Sequence, residues 1–220
     1  MGLFDKIKNQ ATNAAGHAAK NTVRGATQAV SQTVASGFKH LQNKRETLTF
    51  EALPQNVAEL KALPEANLAS PYGTAALAIA ALCAYETSGP QAVLEMLNFL
   101  MGPKPPQPNV ELQFLKDRLA GKGYKTFSYF EGATPQNNYT PTQPYRVTVF
   151  DNPYSWHSED TSQSSGGPAQ YARLLMRSSG SDSDRLIIMR LKPSTNEWFL
   201  TDYHQLMPDI RVPAAADDWA

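Results

Sequence analysis

The 220-residue sequence predicts an α+β protein: a helical first half packed on an antiparallel sheet from the second half, preceded by an N-terminal amphipathic helix. Three observations carry that expectation. Apolar residues recur at helical spacing from Leu3 to Leu41, helix-forming stretches fill most of 56–120, and alternating β-rich stretches separated by turn residues follow Tyr145. Hydrophobic residues make up 41% and aromatics 10%, a globular composition, and the length suits one core with an appendage.

The appendage is residues 1–45, read as a basic helical arm; 46–220 is read as a single α+β domain. Leu3, Ile7, Ala11, Ala14, Ala15 and Ala18 continue as Val23, Ala26, Val30, Val34, Phe38 and Leu41, one apolar stripe along the arm. Lys6, His17, Gln28 and Lys39 repeat every eleven residues, a period of about 3.67 residues per turn that keeps a nearly straight helix in phase. Ala, which buries little area, is the commonest residue of the stripe, so affinity concentrates at the tip in Leu3, Phe4 and Ile7, each worth roughly 1.5–3 kcal/mol when buried. Lys6 and Lys8 flank this tip. Gly16, Gly25 and Gly37 each cost about 1 kcal/mol inside a helix, so the free arm is expected to fray. The eleven-residue pattern resembles the lipid-surface repeats of synucleins and apolipoproteins, and "GLFDKIK" resembles the start of membrane-active amphibian peptides.

Charge divides the same way. The arm carries seven Lys or Arg against Asp5 alone, a net +6, which leaves −6 on the remainder of a chain whose formal charge is zero. A basic amphipathic arm is expected to dock on an anionic membrane surface or a protein partner, or to self-associate. No nucleic-acid partner is expected, because its cations are spread without interleaved aromatics. Gly2 does not make a myristoylation signal with Lys6 in place of Ser or Thr. With no secretory-type leader and no run of ~20 apolar residues, the expected location is cytoplasmic, peripheral at the inner face of the membrane.

In the body, "ETLTF" alternates as a strand, and "NVAELKAL" is a short helix stopped by Pro64. Ser70 and Pro71 open "YGTAALAIAALCAYE", a helix apolar nearly all round and therefore central to the core, broken at Gly89–Pro90. "QAVLEMLNFLMG" follows. After "GPKPPQP" comes a fourth helix with Asn109 as cap, Leu112, Leu115 and Leu119 inward and Gly121 as its left-handed stop. From Tyr124 the character shifts to strand and turn. "YRVTVF" is a strand, "NPYSWHSEDTSQSSGGPAQ" a polar loop, and "YARLLMRS", "DRLIIMRLK" and "EWFLTDY" an antiparallel meander.

The segments "SPYGTAAL", "EMLNFLMGP", "YFEGATPQNNYTP", "YRVTV", "EWFL" and "DIRVP" together resemble a family of small bacterial proteins, mostly from gut Firmicutes, known as a domain of unknown function. The resemblance spans about 46–220 and implies no activity.

Chemistry has few candidates. Cys83 is the single cysteine, which excludes an internal disulfide and fits a reducing compartment. As a nucleophile it would need His157 or His204 as base, a cysteine-dependent hydrolase; its mid-helix position favours a buried inert thiol instead. No metal or cofactor motif is present, and acid pairs such as Glu159–Asp160 fall in loops. On the body, the stretch 132–145 is the candidate recognition loop through Asn137, Asn138, Tyr139 and Tyr145, against the plainer expectation of a packed crossover with Tyr139 buried.

Overall fold

A computed structural model of the chain describes residues 44–103, 108–152, 157–160 and 169–219. Strand β1 (Arg45–Phe50) opens this region and is followed by helix α1 (Val57–Ala62). Asn56 caps α1, its side chain accepting from the Ala58 and Glu59 amides at 3.0 Å each. Pro64 then begins a 3₁₀ turn.

Helix α2 (Pro71–Leu82) has every residue buried, as its uniform apolarity predicts. Pro71 occupies its first turn, but the Ser70 side chain makes no capping bond; Thr74 Oγ1 instead donates to the carbonyl of Trp198 at 2.9 Å, tying α2 to the sheet. The helix ends earlier than expected, Cys83 and Ala84 forming the turn into α3 (Tyr85–Met101). The break expected at Gly89–Pro90 is a kink within α3, where Gly89 takes φ 81°.

Helix α4 (Pro108–Leu119) contains Asn109 rather than being capped by it, and stops at Gly121 with φ 66°. Leu115 and Leu119 are buried, whereas Leu112 is half-buried and Glu111 takes an inward place. Residues Tyr124–Phe127, expected to have strand and turn character, form a single helical turn, α5, because the left-handed stop at Gly121 is followed by local N–H bonds back onto Lys122 and Gly123.

Strands β2 (Tyr145–Asp151), β3 (His157–Asp160), β4 (Ala169–Met176), β5 (Arg185–Lys192) and β6 (Glu197–Asp202) complete a six-stranded sheet. Its order is β1-β2-β4-β5-β6, all antiparallel, with β3 paired to β4 beyond the end of β2. The stretch expected to be a polar loop thus contains a strand: His157 pairs with Ala172, where β4 offers ladder bonds left open after Asp151. The meander β4–β5–β6 is as predicted. The domain is α+β: α2 packs on the inner face of the sheet, α3 on α2, and α4 on α3. The core runs through Phe50, Leu77, Ile79, Leu97, Val149, Leu174 and Met189.

Candidate binding groove

The outer face of the sheet is built by alternation. Leu48, Phe50, Val147 and Val149 turn inward, so Arg45, Thr47 and Thr49 of β1 and Arg146, Thr148 and Phe150 of β2 turn outward. The register sets Arg45 against Phe150, Thr47 against Thr148 and Thr49 against Arg146. The Thr47 and Thr148 hydroxyls are 2.8 Å apart, and the Arg45 guanidinium lies 5.4 Å from the Phe150 ring centroid. Met176 pairs with Val149, which brings Arg177 to the row of Thr148. Arg45, Thr47, Arg146, Thr148, Phe150 and Arg177, with the 128–133 segment, line an open groove of about 910 Å³. Two of its cations are held by acids: Arg146 Nη1 lies 3.1 Å from Glu131 and Arg177 Nε 2.8 Å from Asp184. Arg45 has no carboxylate partner among the described residues. A smaller, mostly apolar cavity of about 310 Å³ lies between the end of α3 and the β5–β6 hairpin, lined by Met101, Phe199 and Leu200 with Arg190 and Lys192.

A second cluster surrounds His204. Its Nδ1 lies 2.9 Å from Asp202 Oδ1, and its Nε2 lies 3.5 Å from Glu111 Oε1, an ion-pair distance rather than a hydrogen bond. The ring stacks on Tyr203 and meets Phe114 edge-on. Glu111 is 3% exposed, and its Oε1 has no hydrogen-bond donor among the described residues. Contact with Glu111 first, then with Asp202, holds the His204 pKa above its ordinary value, against the opposing effect of burial. The half-buried imidazole therefore lies between Asp202 and an acid buried in α4.

A third polar cluster closes the inner face. The Tyr72 hydroxyl donates to Asp151 Oδ1, and the Lys44 amide donates to Oδ2 at 3.0 Å. Asp151 is 3% exposed, and burial pushes its pKa up despite both donors; burial and the Asp151 contact push Tyr72 up as well.

Among the residues singled out in the sequence, Cys83 is buried at the end of α2, where desolvation pushes its thiol up to about 12 and the nearby Thr126 hydroxyl only partly opposes the shift. A thiol so held is protonated at neutral pH and a poor nucleophile. His157 is placed by its backbone in β3, and His204 meets the carboxylates of Asp202 and Glu111 and the rings of Tyr203 and Phe114. The 132–145 segment is a packed crossover. Tyr139 is 2% exposed, stacks on Tyr124 and donates to the Arg211 carbonyl at 2.8 Å. Asn137 spends its amide on the Gly132 and Thr140 carbonyls, inside a capping box with Thr134. Tyr145 is half-buried edge-on to Phe130, while Asn137 and Asn138 are both exposed. Leu3, Phe4, Lys6, Ile7 and Lys8 lie outside the described residues.

Sequence reasoning missed the groove arginines, Glu111 and the Tyr72–Asp151 pair. The available signal was in the strands: "RETLTF" and "YRVTVF" place only Arg, Thr and Phe on the outward parity. Among the described residues, no group of three or more His, Cys, Asp or Glu could hold a metal ion, and no helix is long and apolar enough to cross a membrane.

No curated protein and no solved structure matches the chain. A family described as "Domain of unknown function (DUF6935)" matches residues 52–214, from just after β1 to the final turn. The chain belongs to the DUF6935 family.

Proposed function

We propose that this protein is a non-enzymatic, cytoplasmic binding module whose α+β domain is brought to an anionic membrane surface by the amphipathic arm of residues 1–45. The observation that carries this reading is the coincidence, within the arm, of a continuous helix-period stripe, an apolar tip and a net charge of +6. An interfacial helix needs that combination, because the apolar face supplies insertion and the cations supply attraction to anionic lipid. The acidic remainder of the chain is repelled by the same surface, so the arm holds the domain by its leading end. A cysteine hydrolase finds no support in a thiol that is buried and held protonated.

The test is co-sedimentation of the full chain with phosphatidylcholine vesicles, with and without phosphatidylglycerol, alongside circular dichroism of residues 1–45. Binding and helix gain that require the anionic lipid support the reading. Leu3→Ser, Phe4→Ser and Ile7→Ser together should abolish pelleting. Equal behaviour with both lipids, or pelleting indifferent to the triple substitution, overturns it and assigns the stripe to a protein contact.

A further inference from the structure

We propose that the groove on the outer face of β1 and β2 is a binding site for a ligand carrying two or more phosphate groups, held by Arg45, Arg146 and Arg177 over the Thr47–Thr148 hydroxyl pair. The spacing comes from the register. Arg146 pairs with Thr49, four positions along β1 from Arg45, so the two arginines mark the ends of a run of roughly 14 Å. Arg177 stands in the row of Thr148, midway between them, and strands lie about 4.8 Å apart. With Arg146 held at Glu131, Arg177 at Asp184 and Arg45 over Phe150, the three guanidinium groups are spread along the groove and suit successive phosphates better than one, and its volume of about 910 Å³ admits a polyanion of that size.

The donors are present and oriented. Arg146 gives Nη1 to Glu131 and Arg177 gives Nε to Asp184, contacts that leave the remaining guanidinium N–H groups of each available. Arg45 is fixed by Phe150 rather than by an acid. In the Thr47–Thr148 pair one hydroxyl donates to the other, so the accepting hydroxyl keeps its own proton to donate outward. Three arginines against Glu131 and Asp184 leave the groove with an excess of one positive charge, on a body that is acidic as a whole. Local charge opposite to the global charge selects an anion at this place rather than over the surface generally.

Of the arm, the site takes only Arg45, the last residue of 1–45 and the first of β1, and nothing from the Leu3–Ile7 tip, so its failure is distinguishable from that of the membrane reading. Inositol hexakisphosphate and, separately, inorganic phosphate are titrated calorimetrically into the full chain. The hexakisphosphate should bind and inorganic phosphate bind far more weakly; no heat with the hexakisphosphate, or equal affinity for the two, overturns the proposal. Arg45→Gln and Arg177→Gln should each weaken binding roughly tenfold, the worth of one charge-assisted contact. Thr148→Val, which leaves charge unchanged, should weaken it by a smaller but measurable factor. Lys116→Gln on the exposed side of α4 should leave binding unchanged. A loss with Lys116→Gln equal to that with Arg177→Gln would mean diffuse attraction and sink the site. The arginines are exposed, so these variants should fold, and Thr148→Val reads the same site independently. The source of the ligand is read with vesicles carrying phosphatidylinositol bisphosphate, using protein with the Leu3, Phe4 and Ile7 substitutions. Retained pelleting that Arg177→Gln abolishes assigns a lipid headgroup, whereas hexakisphosphate binding without pelleting assigns a soluble phosphate compound; either supports the groove.

Discussion

His204 shows how one side chain is placed by charges that local sequence does not bring together. Its raised folded pKa means that the stability it contributes is fully present below its unfolded value of about 6.5 and is lost as pH rises through the folded value. The urea midpoint should therefore fall as pH is raised above about 6.5. His204→Gln should flatten that dependence; an unchanged slope would show that Glu111 needs no imidazole. Packing is as strict at Gly180, where an added Cβ would collide with the Tyr139 hydroxyl and Ile210. Gly180→Ala should cost about 1–3 kcal/mol by chemical denaturation. Asp202 and His204 are near neighbours in sequence, but Glu111 lies far upstream, so only half of the cluster was legible along the chain.

Among elements, α2 follows most directly from its residues. A helix with no polar face must be covered on every side, and α2 lies between the sheet and α3 with Leu77 and Ile79 fully buried. Leu77→Ala should cost about 2–5 kcal/mol and lower the melting temperature by several degrees, whereas Val110→Ala, at a position 65% exposed on α4, should change stability by less than about 0.5 kcal/mol. Equal effects of the two would contradict the layer order. The boundaries of elements were less legible. Alanine-rich sequence continues helically past Leu82, and what ends α2 is the need to turn α3 back across it. Strand β3 was hidden because Ser and acid residues read as loop, yet its backbone completes ladder positions on β4.

Across the whole domain, the sheet joins the chain's two halves. β1 pairs with β2 about a hundred residues away, Thr47 to Thr148 being 101 positions apart, while β4, β5 and β6 follow one another locally. Removing residues 1–50 would uncover the β2 edge, delete the buried Phe50 ring and withdraw the Lys44 amide from Asp151. Such a chain, although it holds the whole family-matched segment, should lose near-ultraviolet circular dichroism and aggregate. A monomeric product melting like the full chain would show β1 to be dispensable. The same non-local pairing should place closure of β1 late in refolding, because the loop must be closed before its contacts form, and hydrogen-exchange labelling during refolding should protect the β1 amides after those of β4 and β5.

By itself the sequence determined the α+β class, the buried central helix, the meander and a basic amphipathic stripe, because each depends on periodicity and composition within a short window. Tertiary structure decided which polar residues meet. Thr47 with Thr148, Arg177 beside them, Glu111 with His204 and Tyr72 with Asp151 are juxtaposed by strand register and helix packing. The reason is physical: alternation fixes the face on which a side chain lies, whereas its partner is set by contacts across the sheet and between layers, which no local period encodes.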